Sequence, residues 1–453
     1  MPFDVIVVGA GPAGEVAAGK LAERGLAVAL VERELVGGEC AYYACMPSKA
    51  LLRPAQLLAE AARVPGAAQA LSGPLDVGAV LERRDEAISH LDDDHQMSWL
   101  RKREITLLRG RARLDGELAV TVDGVRHSAA RAVVLATGST AALPDVPGLA
   151  RAKPWTNREA TTADAIPESL LVLGGGAVGV ELAQAYASLG ARVTLIEPLE
   201  RLISGEEQFA SEQVAQALRE GGVDVRLATS AAAVSREGAA VHVELADGET
   251  IHAQELLVAT GRRPRTDELG LERFGLSPGE VIEVDERLRV HGLPWLYAIG
   301  DVNGRSLLTH VGKHQARIAA AVIAGEDAAL SGDDAAWPRV IFTDPQVAAV
   351  GLTLARAREQ GIDAEAVDVE TSDTAGASFV GRDTPGTSRL VLDRPRGVIV
   401  GATFTGTEVA EWLHAATIAI VGEVPLERLW QALPAFPTRS EVWLKLLEST
   451  QTL

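Results

Sequence analysis

Two cysteines, Cys40 and Cys45, are the only ones in the chain, and they stand five positions apart. A pair so close encloses too small a loop to tie distant segments together, so the spacing points to redox chemistry and not to a structural staple. Ideal helix geometry separates residues i and i+5 by about 8.6 Å at Cα, whereas a disulfide tolerates roughly 7 Å at most. A bridge here requires a distorted turn, and strain of that kind makes the bond labile, as an electron shuttle needs. The alternative for this segment alone is a pair of buried thiols on a helix, since free Cys is among the most buried residue types.

The elements that must position the pair come from an internal repeat. The apolar run Asp4 to Val8 leads into Gly9-Ala10-Gly11-Pro12-Ala13-Gly14, then a helical pattern from Ala17 to Arg24 and a strand from Ala27 to Val31 ending at Glu32. Leu170 to Leu173 lead likewise into Gly174-Gly175-Gly176-Ala177-Val178-Gly179, a helical stretch from Glu181 to Leu189 and a strand from Arg192 to Ile196 ending at Glu197. In both copies the acid lies 18 positions beyond the third glycine, close to the spacing of about 20 in dinucleotide-binding fingerprints. Glycines there permit a tight turn and close backbone approach to a pyrophosphate, and the acid accepts from a ribose. The bland alternative, glycines serving only as turns, has to apply twice in matching context.

Each copy closes on a similar phrase, Val133-Val134-Leu135-Ala136-Thr137-Gly138-Ser139 and Leu257-Val258-Ala259-Thr260-Gly261-Arg262. The interval from first glycine to threonine is 128 residues in the first copy and 86 in the second, so the first copy carries an insertion of 42 residues; the cysteines fall inside that first copy.

At 453 residues, several domains of ordinary size are expected. A hydrophobic content of 47% with 23% charged residues gives no sign of disorder. The formal net charge of −19 argues against nucleic-acid or anionic-membrane partners, which need a basic footprint. No stretch reaches the roughly 18 apolar residues of a membrane span, since Lys20, Glu23 and Arg24 interrupt the most apolar opening segment. Without a basic segment, signal-length apolar run or cleavage site at the start, a cytoplasmic location is expected.

The stretch Gly37-Gly38-Glu39-Cys40-x4-Cys45-Met46-Pro47-Ser48-Lys49, the two fingerprints, the Ala-Thr-Gly phrases, Tyr297-Ala298-Ile299-Gly300-Asp301, and Phe342-Thr343-Asp344-Pro345 through Val350-Gly351 together resemble the flavoprotein disulfide reductases over nearly the whole length. The pattern is nearest to dihydrolipoamide dehydrogenase and more distant from mercuric reductase. The resemblance implies an α/β fold of two Rossmann-like FAD- and NAD(P)-binding domains plus a C-terminal α+β dimerisation domain. It divides the chain into an FAD domain (1–148), an NAD(P) domain (149–268), a return segment completing the FAD site (269–334) and a dimerisation domain (335–453), and implies a homodimer.

By the same resemblance, FAD is held by Gly9, Gly11, Gly14, Glu32, Gly38, Lys49, Ala112, Thr137, Gly138, Ser139, Gly300, Asp301 and Thr309. The nicotinamide cofactor is held by Gly174, Gly176, Gly179, Glu197 and Gly261. Asp301 bonds the ribityl chain and Thr309 opens a helix near the flavin, while Lys49 sits near flavin N5 and pairs with Glu181. Cys40, Cys45, Lys49 and Glu181 are the implied catalytic residues, with Cys45 taking electrons from the flavin and Cys40 exchanging with the acceptor. Glu197 repels a 2′-phosphate and Gly179 stands where NADPH-using relatives often carry Ala, so NADH is expected over NADPH, although Arg201 is an arginine that can receive a phosphate. No metal site is expected.

One part of the pattern is broken. Where the resembled enzymes carry His-Pro-Thr-x-x-Glu, a base delivered from the partner subunit, this chain reads Phe436-Pro437-Thr438-Arg439-Ser440-Glu441. Phenylalanine moves no proton, so acid–base help worth about 100- to 10,000-fold is missing there, and Cys40 loses a neighbouring cation. Glu441 is then expected to close a Thr438-x-x-Glu441 capping box. Tyr42 and Tyr43 in the cysteine spacer can be core or a platform for a flat acceptor. His310 and His314 are candidate replacement bases. No cysteine follows Cys45, which argues against specific mercury handling. The expected acceptor is a small or protein disulfide, with a quinone taking electrons directly from the flavin as the alternative and a redox sensor without turnover as a third possibility.

Overall fold

A computed structural model describes residues 3–331, 336–382 and 384–450. The chain forms two compact units, one of Met1–Pro47, Glu82–Ala142 and Gly261–Asp334, the other of Ser48–Leu81, Leu143–Thr260 and Ala335–Leu453.

In the first unit, strand β1 (Phe3–Val8) lies parallel between β2 (Val28–Glu32) and the strand Val125–Leu135, with Val5 opposite both Val28 and Ala132. Thr106–Arg109 extends the sheet beyond β2, and Leu293–Ala298 extends it beyond Val125–Leu135. A strand covered on both faces reads as an unbroken apolar run, and Val5, Ile6 and Val7 are fully buried.

Helix α1 spans Pro12–Ala22. It starts five residues before the expected Ala17, because Pro12 has a preset φ and lacks only an N–H that a first turn does not need. The apolar periodicity becomes visible only after the fingerprint glycines have formed that turn.

The cysteine segment breaks between helix α2 (Gly38–Tyr42) and helix α3 (Cys45–Arg63), with Tyr43 and Ala44 as the turn. The two cysteines thus lie on different helices, which removes the distance penalty of a continuous one. Of α3, Cys45–Pro47 belong to the first unit and the remainder to the second.

The second unit repeats the parallel arrangement in the order Asp224–Arg226, Arg192–Ile196, Ser169–Leu173, Glu255–Val258, and its fingerprint helix spans Ala177–Ser188. An antiparallel three-stranded sheet runs from Ala231 to Ala253. A five-stranded antiparallel sheet carries the C-terminal part, its core built on Ala348, Leu390, Ala402 and Phe404 against the helices Leu413–Val421 and Val442–Thr450. Among the described residues no helix is long and apolar enough to cross a membrane.

Candidate functional site

In the first unit the break between α2 and α3 brings the two half-buried thiols within hydrogen-bonding reach of each other. Cys45 Sγ is 3.6 Å from the Thr309 hydroxyl. Thr309 is the first residue of the helix Thr309–Ile323, whose N-cap, Leu308, offers no side-chain acceptor. The positive end of that helix therefore lies at the sulfurs, where it favours negative charge. The Cys40 thiol is pushed well above its ordinary range, first by the hydrogen bond shared with Cys45 and next by burial, while the Thr309 hydroxyl and the Lys313 ammonium act against this. The arrangement keeps a proton on Cys40.

The first fingerprint loop is built for close approach. A Cβ at Gly14 would stand 1.8 Å from the Gly9 carbonyl oxygen, one at Gly38 would stand 2.7 Å from Gly11 Cα, and one at Gly11 would enter open space. Helix α1 has no side-chain cap, so its first amides are available to an anion.

Glu32 accepts from Ala10 N at 2.8 Å and from Glu34 N at 2.8 Å, one amide on each oxygen. Glu197 repeats the arrangement with Gly175 N at 2.6 Å and Leu199 N at 2.9 Å. Both acids thus pin their own loop and retain lone pairs for a ribose. Ala112 opens the strand Ala112–Gly116, two residues after Gly110, whose amide donates to the Glu32 carbonyl.

Asp301 accepts from the Ser139 hydroxyl, which in turn accepts from Arg262 Nε at 2.7 Å. Thr137 donates to the Arg265 carbonyl, and the Gly300 amide donates to buried Gln315. These residues fit FAD: open space over Gly11, uncapped helix amides, and an acid at the end of β2.

In the second unit the Lys49 ammonium is 2.7 Å from Glu181 Oε2, and the Phe342 amide donates to Glu181 Oε1 at 2.8 Å. Lys49 also lies 4.7 Å from the centre of the Phe342 ring. Along α3, Lys49 follows Cys45 by four residues, one helical turn.

Several residues of this site escaped sequence reasoning. Glu39, between Gly38 and Cys40, forms an ion pair with Arg265 at 2.7 Å, and Arg262 lies 3.9 Å away. The arginines follow Gly261 closely in sequence, but a charged residue in a turn carries no signal of its distant partner. Tyr42 proves to be core: it is buried and donates to the carbonyls of Val36 and Asp92. His310 and His314 are exposed.

The expected capping box is not formed. The Thr438 hydroxyl donates to the Ala435 carbonyl, and in the 3-10 turn Arg439–Glu441 the Glu441 amide donates to the Thr438 carbonyl and not to its hydroxyl. Glu441 Oε2 is buried without a hydrogen-bond partner. Phe436 is 76% exposed.

Residues 3–328 match the pyridine nucleotide-disulphide oxidoreductase family, and residues 337–447 match the dimerisation domain of the pyridine nucleotide-disulphide oxidoreductases. The dihydrolipoyl dehydrogenase of Haloferax volcanii is 32% identical, the alignment covering 98% of this chain and 96% of that protein. The mercuric reductase of Streptomyces lividans is 34% identical over 99% of this chain and 96% of its own length. Among solved structures, the HOCl-induced flavoprotein disulfide reductase RclA from Escherichia coli superposes with a TM-score of 0.88 at 25% identity, covering 98% of this chain and 99% of that one.

Proposed function

Because the chain belongs to the pyridine nucleotide-disulphide oxidoreductase family, we propose that it carries electrons from NADH to a disulfide acceptor through the Cys40 and Cys45 pair. The observation that carries this reading is the meeting of the two thiols with each other and with Thr309 at an uncapped helix start. A thiol pair with a structural role has no need of a helix pole beside it.

When bound, FAD supplies the two-electron relay between the nicotinamide and the cysteines. In this proposal the loop Gly9–Gly14, Gly38, Glu32, Asp301 with Ser139, and Thr309 hold it, and the ion pair with Glu181 fixes the charge of Lys49, one helical turn beyond Cys45. Glu197 and the second glycine loop hold the nicotinamide cofactor. NADH is favoured over NADPH because a 2′-phosphate would meet the buried Glu197 carboxylate. The guanidinium of Arg201 is engaged by the Ser204 and Glu206 carbonyls, which takes away the phosphate receptor nearest in sequence. Cys40 is the exchanging thiol and Cys45 the resolving one. The working form is a homodimer built on the C-terminal domain, where Ile418, Val421 and Leu433 leave apolar side chains exposed.

A second reading, electron exit from the flavin directly to a quinone, is favoured by Phe436, which has no proton to exchange. Acceptor profiling separates the two. Purified wild type and Cys40→Ser are assayed with NADH and NADPH against oxidised lipoamide, oxidised glutathione, an aromatic disulfide and a benzoquinone. Loss of all disulfide reduction in Cys40→Ser, with quinone reduction retained, is expected. Wild type that reduces only the quinone, at a rate indifferent to Cys40→Ser, would establish the second reading instead.

A further inference from the structure

We propose that Glu39, Arg265 and Arg262 clamp the helix that carries Cys40, and that this clamp sets how readily Cys40 and Cys45 join. All three are positioning residues, acting on the sulfurs only through the direction in which they hold α2. The inference rests on the reading of Cys40 and Cys45 as the redox pair.

The need for a clamp follows from the helix itself. α2 has five residues and starts without a side-chain cap, and a segment so short does not keep a helical shape by its own hydrogen bonds. Its orientation is therefore set by what it touches. At its end the Tyr42 hydroxyl donates to the Val36 and Asp92 carbonyls. Just before its start the Gly37 amide donates to the Ala10 carbonyl at 2.8 Å. Glu39 reaches out from the turn between these two anchors, next to Cys40. Each helix residue points about 100° from the one before, so a fixed Glu39 side chain also fixes the direction of Cys40.

The partners of Glu39 are themselves anchored. Arg265 donates to Glu39 Oε1 at 2.7 Å; its own amide donates to the Gly138 carbonyl at 3.0 Å, and its carbonyl accepts from the Thr137 hydroxyl at 2.9 Å. Arg262 stands 3.9 Å from Glu39 Oε2 and donates to the Ser139 hydroxyl at 2.7 Å and the Ser139 carbonyl at 3.0 Å. The backbone of Arg262–Pro264 pairs with Ser139–Ala141 as a short antiparallel ladder. Both arginines thus rest on the turn Thr137–Ser139. Arg262 also lies 3.9 Å from Asp301, so one guanidinium is shared between the acid beside Cys40 and the acid at the flavin site.

A loose surface pair would hold nothing, because solvent screens it and its side chains wander. Here Glu39, Arg262 and Arg265 keep 18%, 20% and 23% of their side-chain exposure, and the planar guanidinium fixes the angle of its partner as well as its distance.

Oxidation of the pair by glutathione disulfide isolates what the clamp controls. One protein thiolate breaks the glutathione S–S bond and forms a mixed disulfide, releasing the first glutathione. The other protein thiolate breaks that mixed disulfide, the Cys40–Cys45 bond forms, and the second glutathione leaves. Two electrons pass from the pair to glutathione, and the two thiol protons end on the two released glutathiones. The second step is intramolecular, so its equilibrium depends on how well Cys40 is presented to Cys45.

The test equilibrates purified, flavin-loaded protein in glutathione buffers of graded ratio under nitrogen. Free thiols are then blocked with N-ethylmaleimide and counted by mass spectrometry. Glu39→Ala and Arg265→Met should each lower the equilibrium constant for the Cys40–Cys45 bond about tenfold, a rise in reduction potential of about 30 mV. Glu39→Gln keeps one acceptor arm and should give a smaller shift of the same sign. The double variant Glu39→Ala/Arg265→Met should shift no further than either single one, because both open the same clamp. A wild-type constant in the variants that retain flavin would overturn the proposal. So would shifts of opposite sign in Glu39→Ala and Arg265→Met, the mark of two charges acting through their fields, or additive shifts in the double variant. If wild type forms no Cys40–Cys45 bond at any ratio, the underlying reading of the pair fails instead, so the two failures are distinguishable.

Discussion

Glu181 is held almost out of water by two donors, the Lys49 ammonium and the Phe342 amide. Removing the cation leaves a buried carboxylate with a single amide, a loss of about 3 kcal/mol. Lys49→Met should therefore lower the unfolding free energy measured in urea by that amount, and the double variant Lys49→Met/Glu181→Gln should recover most of it. Equal destabilisation of the single and double variants would mean that the charge pair is incidental. Glu15 gives a prediction of opposite character. Its folded value, about 7, exceeds its ordinary 4.5, so the folded state binds the extra proton. The stability it contributes is complete below about pH 4.5 and is lost as the pH rises to about 7, on the order of 3 kcal/mol. Glu15→Gln should flatten stability across that window, measured by denaturant unfolding at several pH values. At this scale the sequence was partly legible. Lys49 and Glu181 could be paired in advance because each occupies a fixed place in a long pattern. Glu39 and Arg265 could not, since each alone looks like an ordinary surface charge and only the fold joins them at 2.7 Å.

Elements were legible where one physical requirement dictates several residues at once. A strand, a glycine turn, a helix and an acid repeat twice, and both loops close in the same way: a Cβ at Gly14 or at Gly179 would stand 1.8 Å from the carbonyl oxygen of Gly9 or Gly174. Gly14→Ala should accordingly push α1 from its strand and lower the flavin retained on purification, read as visible absorbance per protein. Gly179→Ala should keep flavin and slow its reduction by NADH. Equal flavin loss in both variants would argue against separate roles for the two loops. Boundaries were less legible. The helix α1 began at Pro12 because backbone geometry, and not apolar periodicity, sets its first turn. The same lesson explains Thr438 to Glu441, whose spacing suits a capping box while the chain forms a 3-10 turn and sends the Thr438 hydroxyl back to Ala435. The break between Cys40 and Cys45 was required by disulfide geometry, but its place, at Tyr43 and Ala44, was not encoded in any turn residue of familiar type.

Assembly is the scale at which position 436 acquires meaning, because a residue standing 76% exposed in the isolated chain is open to contact with a second copy. The exposed apolar side chains of Ile418, Val421 and Leu433 in the same C-terminal region supply a surface for that association. Ile418→Asp combined with Leu433→Asp should give a monomer in light scattering. If the homodimer presents residue 436 to Cys40, a histidine there would supply a base beside Glu441. Phe436→His should then raise disulfide reduction, by up to the roughly 100- to 10,000-fold worth of an acid–base group, while reduction of a quinone directly by the flavin, which needs no thiol proton, stays unchanged. Both rates are read as kcat/KM at neutral pH. An unchanged disulfide rate would mean that residue 436 acts on no step of thiol exchange.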